Sequence, residues 1–297
     1  MNDNEILRKE REHQEDLQRL RGFRPIDDDF MRSLFRKSPE LVQLVLRIIT
    51  GKPDLIVESF ETQADMKRVT GARTICLDAY ATDAAGKKYD IEVQRADRGA
   101  SPHRARYHSS VMDVENLDKG EPFESLPDTY TIFITEKDFF GAQEAIYQIQ
   151  RMNLTTGKPF HDGTHILYVN GEYRGDSDIG KLMHDFNCTD ADEMKIELLA
   201  QGTRYLKESP EGVSEMCREM EIMRDKSRAE GLAEGLAKGM VEGHAKGMLE
   251  GLAEGKLEER RENAISLHRL GLDVDFIANA LKAPVETVKQ WIASELQ

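Results

Sequence analysis

The sequence predicts an α/β protein in which helices flank a mixed β-sheet, followed by an α-helical C-terminal extension. Alternating polar and apolar residues over 73–94 predict a β-hairpin, and residues 129–135 and 164–170 are apolar enough to form buried strands. Apolar residues at helical spacing before and after these strands predict the flanking helices. From Gly231 onward a four-residue glycine repeat replaces this alternation and predicts a separate helical extension.

Composition and charge limit the class of protein. The 297 residues suffice for one sizeable domain with appendages, and a hydrophobic content of 39% allows a core. The longest apolar run, 41–49, is interrupted by Gln43 and Arg47 and is too short to span a membrane. Three cysteines without paired spacing favour a reducing compartment, so we expect a cytoplasmic location. The net charge of −14 argues against a globally basic nucleic-acid binder.

Four segments are expected along the chain. Residues 1–24 are evenly charged and predict an exposed helical leader or a disordered arm. Residues 25–225 carry the alternating strands and helices and are expected to form the main domain. A glycine-repeat helix over 226–262 and a small helical segment over 263–297, with a pattern like a helix-turn-helix, complete the chain.

The first helices and the first strand follow from local signals. A short helical pattern over 30–37 ends at Ser38, which is a good N-cap for the next helix, and Pro39 suits its first position. This second helix continues to about Thr50. Residues 55–57 then predict an edge strand.

The hairpin brings carboxylates together. If the loop 83–87 closes symmetrically, Asp78 lies directly opposite Glu92. Because alternate side chains share a face, Asp78, Asp90, Glu92 and Gln94 project from one side. The other side carries Ile75, Leu77, Ala79, Tyr89, Ile91 and Val93. Opposed like charges destabilise a strand pair, so this pattern indicates either a solvated acidic face or ligands for a hard cation such as Mg²⁺.

A basic stretch follows the hairpin. Residues 95–108 contain Arg95, Arg98, Arg104 and Arg106 against a single acid, Asp97. Such a patch beside carboxylates suits contacts with phosphates, although the solvated start of a helix explains the same charges. The helix expected over 103–119 has an apolar stripe formed by Tyr107, Val111, Val114 and Leu117. Two further amphipathic helices are predicted over 179–186 and 193–207.

Glycine recurs every four residues from Gly231 to Gly255. Each glycine weakens an isolated helix by about 1 kcal/mol relative to alanine, so close approach to another helix is one explanation and a partly frayed tether is the other. We expect homo-oligomers to form through this helix. In the last segment Lys289 and Gln290 stand against Glu286, a poor charge pattern for reading DNA, which favours a packing role.

The order of Asp78, a turn and then Glu92-Val93-Gln94 resembles the PD-(D/E)xK nuclease superfamily, and more closely its Rpn/YhgA-like group of recombination-promoting nucleases and transposases. The resemblance covers about residues 25–260. It includes Asp27-Asp28-Asp29-Phe30, Arg104-Ala105-Arg106-Tyr107-His108-Ser109-Ser110, Gly120-Glu121-Pro122-Phe123, Asp162-Gly163-Thr164 and Leu167-Tyr168-Val169-Asn170. It implies a restriction-endonuclease-like core for residues 25–225, with DNA as the partner.

The resemblance also implies roles for individual residues. Asp78, Glu92 and the backbone carbonyl of Val93 would bind Mg²⁺, for which Mn²⁺ can substitute, and Asp78, Glu92 and Gln94 would be catalytic. Gln94 stands where the superfamily pattern has lysine, and an amide cannot take a proton from water, although it can orient one. Arg95, Arg104 and Arg106 would contact DNA.

In related nucleases an acidic residue from a preceding helix can join the metal site. Asp29 and Glu40 are the candidates here, although Glu40 in a first helical turn is also explained by the helix dipole. Two functions are therefore considered. The first is a metal-dependent DNA endonuclease linked to recombination or mobile elements, and the alternative is an inactive nuclease-fold protein that acts as an oligomerising, DNA-associated scaffold.

Overall fold

The computed structural model describes residues 3–66, 75–95 and 97–294, without the side chains of residues 3–6, 9, 97 and 98. The start of the predicted hairpin (73–74), the last three residues of the C-terminal segment and the side chain of Arg98 therefore lie outside the described part. The chain divides into two compact units, Met1–Ile222 and Met223–Gln297.

A mixed sheet forms the centre of the first unit. Its strands are β1 (Val57–Met66), β2 (Ile75–Asp83), β3 (Lys88–Gln94), β4 (Thr129–Thr135) and β5 (Ile146–Ile149), while β6 (Met152–Asn153) and β7 (Lys158–Pro159) form a separate ribbon and β8 (Thr164–Asn170) returns to the sheet. The order is β1-β2-β3-β4-β8-β5. Strands β3, β4 and β8 run parallel, and the other pairings are antiparallel. The predicted α/β fold with a mixed sheet is confirmed.

Helices cover both faces of this sheet. The helices of the unit are α1 (Asp3–Gly22), α2 (Asp28–Lys37), α3 (Pro39–Thr50), α4 (Pro102–Glu115), α5 (Asp178–Phe186), α6 (Glu197–Glu208) and the start of α7 (Pro210–Arg269). One large apolar core joins α1, α2, α3, α5, α6 and the start of α7 to one face of the sheet. Helix α4 packs on the opposite face, where Ala105 and Met112 are buried.

Local signals placed several elements correctly. Ser38 caps α3 by accepting a hydrogen bond from the backbone N–H of Leu41 (3.2 Å), and Pro39 is its first residue. Strands β4 and β8 have the predicted bounds. Helix α1 is the predicted helical leader, but it is not fully exposed, because Asp16 and Leu20 near its end are buried.

The predicted hairpin register is confirmed where the strands pair. Ala79 faces Ile91, Tyr80 faces Asp90 and Thr82 faces Lys88. Pairing between β2 and β3 ends at Ala79 and Ile91, so the two strands separate beyond this point.

That separation changes the predicted apolar face of the hairpin. Ala79, Tyr89, Ile91 and Val93 join the large core as expected. Ile75 and Leu77 were expected beside them but pack instead in a smaller cluster with Met112 of α4. Along β2 the alternation therefore does not carry the large core past the end of the pairing with β3, whereas along β3 Val93 still joins it.

Three other predictions were wrong in detail. β1 begins at Val57, so residues 55 and 56 precede the strand. Helix α4 ends at Glu115, and its buried face is Ala105, His108, Ser109 and Met112, not the apolar stripe. The polar side chains are buried because Ser109 bonds Thr131 of β4 (3.1 Å) and His108 bonds Asp90 of β3.

The second unit contains the glycine repeat. Helix α7 runs for 60 residues through the repeat, and the apolar residues between the glycines are largely exposed. Helix α7 ends at Arg269, just before Gly271, which has a φ of 83°. The two short helices that follow, α8 (Val274–Ala280) and α9 (Val285–Ala293), pack against each other through Ile277, Val288 and Ile292.

Candidate functional site

The carboxylates of β3 lie beneath α4. Asp90 and Glu92 are fully buried, each at 0% exposure, and Asp78 is mostly buried. The alternative of a solvated acidic face is therefore wrong. Charged carboxylates are almost never buried without partners, because removing them from water is costly, so the contacts of this group decide what it can do.

Asp78 and Glu92 replace the missing strand pairing with side-chain contacts. The backbone N–H of Asp78 donates to Glu92 Oε1 (3.1 Å), and the N–H of Val93 donates to Asp78 Oδ2 (3.3 Å). Asp78, Glu92 and the backbone of Val93 therefore come together at the point where β2 and β3 part.

Burial and repulsion from a neighbouring carboxylate perturb the pKa of each acid. Burial, and then the neighbouring Glu92, raise the pKa of Asp78 to about 8. Burial, and then Asp90, raise the pKa of Glu92 to about 8. Carboxyl groups with raised pKa values in one cluster are typical of functional sites, because a bound cation or a proton is needed to relieve the repulsion.

Arg104 is the positive charge at the centre of this cluster. Its Nη2 donates to Glu92 Oε2 at 2.6 Å, and its Nη1 donates to Gln94 Oε1 (3.3 Å) and to the carbonyl of Gly99 (3.2 Å). Gly99 allows this arrangement, because a Cβ there would collide with the Gln94 amide oxygen. Of the three arginines expected to contact DNA, Arg104 is the one held against the carboxylates.

His108 and Asp90 form a buried pair behind Arg104. Arg104 Nε donates to His108 Nε2 (3.1 Å), which leaves the proton on Nδ1, and Nδ1 donates to Asp90 Oδ2 (2.9 Å). Burial lowers the pKa of His108 to about 4, so the imidazole is neutral. Sequence reasoning did not assign this pair; the signal was His108 four residues after Arg104, which places both on one helix face.

Among the acids at the start of α2, Asp28 lies beside Asp78. Arg32 links α2 to the site, since its Nη1 lies 3.3 Å from Asp28 Oδ2 and 3.7 Å from Asp78 Oδ1. Asp28 also lies close enough to Asp78 for each carboxyl group to perturb the pKa of the other. The expected Asp29 also pairs with Arg32, and Glu40 accepts a hydrogen bond from Ser38 at the start of α3.

Arg95 and Arg106 lie outside this cluster. Arg95 forms ion pairs with Asp27 (3.2 Å) and Glu136 (3.8 Å) and remains largely exposed. Arg106 is exposed on α4. The structure therefore brings Asp78, Glu92, Gln94 and Arg104 together, while these two arginines remain at the surface.

The residues of the cluster fit a hard divalent cation. Asp28 Oδ1 and Asp90 Oδ1 are buried and accept no hydrogen bond from a donor within the described residues. Each aspartate lies beside another carboxyl group, Asp78 or Glu92, so each contact needs a shared proton or cation. When ionised, these four carboxylates outnumber the guanidinium groups of Arg32 and Arg104 by two, and oxygen donors of this kind are what Mg²⁺ prefers. Asp90, Glu92 and His108 also carry ligand atoms within 4.8 Å of one another.

The family model of the PD-(D/E)XK nuclease family transposases matches residues 38–203, which is more than half of the chain. The chain belongs to this family. The match includes β1 to β4, β8 and α4, and thus every carboxylate of the site except Asp28. Comparisons with curated proteins and with solved structures gave no match.

Family membership supports a nuclease-related or transposase-related function that acts on DNA, and nucleases of this family use divalent metal ions. The resemblance drawn from the hairpin is thereby confirmed, together with the restriction-endonuclease-like fold. Among the helices of the described residues, none has the length and apolar character needed to cross a membrane.

Proposed function

We propose that the protein is a divalent-metal-dependent DNA endonuclease that hydrolyses phosphodiester bonds. One observation carries this proposal: Asp78 and Glu92 meet where β2 and β3 separate, and burial together with neighbouring carboxylates raises both pKa values to about 8. Acids that are buried together in this way, on a fold that family membership links to nucleases, favour cation binding over a structural role.

Asp78, Glu92 and the carbonyl of Val93 would hold Mg²⁺, with Mn²⁺ as a substitute. The cation would stabilise the charge that builds on the phosphodiester and promote ionisation of water. Gln94 would orient the attacking water by hydrogen bonds, because its amide has no basicity of its own. Asp28 and Arg32 would fix the position of Asp78, and the His108–Asp90 pair would hold Arg104.

DNA would be held by arginines around this cluster. Arg104 is close enough to Glu92 to reach a phosphate bound at the same place, and Arg95 and Arg106 would contact the backbone from the surface. These contacts are local, which reconciles DNA binding with the net charge of −14. The three cysteines are free, which supports a reducing compartment such as the cytoplasm as the place of action.

The second candidate is a scaffold that binds DNA without cutting it. It is favoured by Gln94 at the position of the superfamily lysine and by the 60-residue helix α7, whose exposed apolar residues suit self-association into homo-oligomers. A role in recombination or in the spread of mobile elements is compatible with either candidate, and strand cleavage separates them.

The deciding experiment is plasmid nicking by the full-length protein in Mg²⁺, Mn²⁺ or EDTA. We expect cutting in either metal, none in EDTA, and a loss of about 10³-fold in Asp78→Ala and Glu92→Ala, because the bound cation contributes several kcal/mol to transition-state stabilisation. Glu61→Ala is the matched control, since it removes an exposed carboxylate from the neighbouring strand β1.

Each result has a defined meaning. Equal cutting by the parent and Asp78→Ala would overturn the site assignment. A folded parent that binds DNA but cuts with neither metal would favour the scaffold. Circular dichroism of each variant separates loss of chemistry from loss of fold.

A further inference from the structure

A second group of metal-ligating side chains lies at the end of α5, among residues that the nuclease proposal does not use. His184 and Asp185 belong to the last turn of α5, and Cys188 follows two residues after the helix ends. One donor atom from each lies within 4.8 Å of the others. A thiol, an imidazole and a carboxyl group are a different donor set from the all-oxygen cluster on β2 and β3.

The separations of these atoms match a tetrahedral metal site. A zinc ion bonded to sulfur at about 2.3 Å and to nitrogen at about 2.0 Å places the two ligand atoms about 3.5 Å apart. Cys188 Sγ lies 3.5 Å from His184 Nδ1. Asp185 Oδ1 lies 2.9 Å from the same nitrogen. A small increase in this distance would allow the ion to replace the proton that His184 Nδ1 and Asp185 Oδ1 share.

The surrounding residues fix the position of Asp185 and leave His184 accessible to solvent. Asp185 is fully buried, and its carboxylate accepts hydrogen bonds from the backbone N–H groups of Lys195 (2.8 Å) and Ile196 (2.7 Å). These bonds fix the carboxylate in the way that outer partners fix metal ligands. Cys188 is 8% exposed, whereas the side chain of His184 is 30% exposed and opens the group to solvent.

We propose that His184, Asp185 and Cys188 bind zinc or another thiophilic divalent cation, with the fourth position taken by water. Thiolate and imidazole ligands select zinc over magnesium, which prefers oxygen. The negative charges of Asp185 and the Cys188 thiolate balance the charge of the cation. Binding releases the thiol proton to solvent, while the proton on His184 Nδ1 moves to Nε2, so that the neutral imidazole is the ligand.

One further contact agrees with this assignment. Because Asp185 bonds the backbone just before α6, a cation at this place ties the end of α5 to the start of α6. We therefore expect zinc to raise the melting temperature of the full-length protein.

The test uses Co²⁺ as a spectroscopic substitute for zinc in the full-length protein. A Co²⁺–thiolate bond gives a charge-transfer band in the near ultraviolet, which oxygen ligands on β2 and β3 cannot produce. The chain has three cysteines, so a variant carrying Cys76→Ser and Cys217→Ser leaves Cys188 as the sole thiol. We expect this variant to keep the band and to retain about one zinc per chain after desalting.

Cys188→Ser should lose the band and at least about nine-tenths of the zinc, because it removes the thiolate ligand. His184→Gln tests the same site at a partly exposed position, where misfolding does not explain a loss. Plasmid cutting should not change in His184→Gln, which separates this site from the proposed nuclease centre. Absence of the band in the parent, or a band that persists in folded Cys188→Ser, would overturn the proposal.

Discussion

The face of the sheet beneath α4 and the glycine-repeat part of α7 depart from ordinary protein structure in opposite directions. Beneath α4, Asp90 and Glu92 are buried without exposure to water, although carboxylates normally lie at the surface. Along α7 the reverse holds, because Leu232 is 77% exposed and other apolar residues between the glycines are exposed as well. One region buries charge, and the other exposes apolar surface.

The difference indicates what kind of partner each region suits. Buried carboxylates with raised pKa values gain free energy from a cation, which removes their repulsion. Exposed leucine and methionine side chains are stabilised when they are buried against an apolar surface of another molecule. The glycines between them leave room for the backbone of a second helix to approach closely. The sheet region therefore suits an ion and DNA, whereas the repeat suits a second protein chain.

The largest expected effect tests whether the two regions contribute differently to stability. Phe35→Ala removes a fully buried ring from the core of the first unit and should lower the free energy of unfolding by about 3–5 kcal/mol. Leu236→Ala in the exposed repeat should change it by less than about 0.5 kcal/mol. Denaturant unfolding followed by circular dichroism measures both. A large loss in Leu236→Ala at low protein concentration would mean that the repeat packs within one chain.

A second effect concerns the buried acids and pH. Their pKa values of about 8 lie above the ordinary values of the unfolded chain, so the folded chain binds more protons between about pH 4 and pH 8. In EDTA the free energy of unfolding should fall as the pH rises through this window, by up to about 1.4 kcal/mol per pH unit for each group. Mg²⁺ competes with these protons, so its stabilising effect should grow with pH.

Melting temperatures from pH 5 to pH 9, with EDTA or Mg²⁺, check this prediction. The variant carrying Asp78→Asn and Glu92→Gln is the matched control, because it keeps the shape of both side chains and cannot ionise. It should lose most of the response to Mg²⁺. A parent whose melting temperature does not respond to Mg²⁺ at pH 9 would contradict the assignment of these acids as ligands.

The smallest effect concerns the glycines of α7. A Cβ added at Gly235, Gly239 or Gly243 would meet no atom within 4 Å. Each change to alanine should therefore stabilise the helix by about 0.5–1 kcal/mol. If close backbone approach holds two chains together, the triple variant should associate more weakly while becoming more helical. Sedimentation and circular dichroism measure the two properties, and unchanged association would exclude the glycines from the contact.

The sequence predicted the hairpin and the meeting of Asp78 with Glu92 because both depend on local geometry. A five-residue loop fixes which residues face each other, and alternation fixes which side chains share a face. The same reasoning failed for Asp28, because three consecutive aspartates give no local reason to prefer one of them. The packing of α2 decided the choice, since Arg32 links Asp28 to Asp78.

The sequence by itself determined the β2–β3 hairpin, strands β4 and β8, the cap of α3 and the order of the carboxylates, because propensity, alternation and turn chemistry act over a few residues. Only the tertiary structure decided that Asp90 and Glu92 are buried, that Arg104 and His108 reach them, and that Arg95 pairs with Asp27 and Glu136. These outcomes depend on where α4 lies against the sheet. The burial and the pKa of a carboxyl group are set by neighbours that are distant in the sequence. The pattern of residues along one strand carries no information about these neighbours.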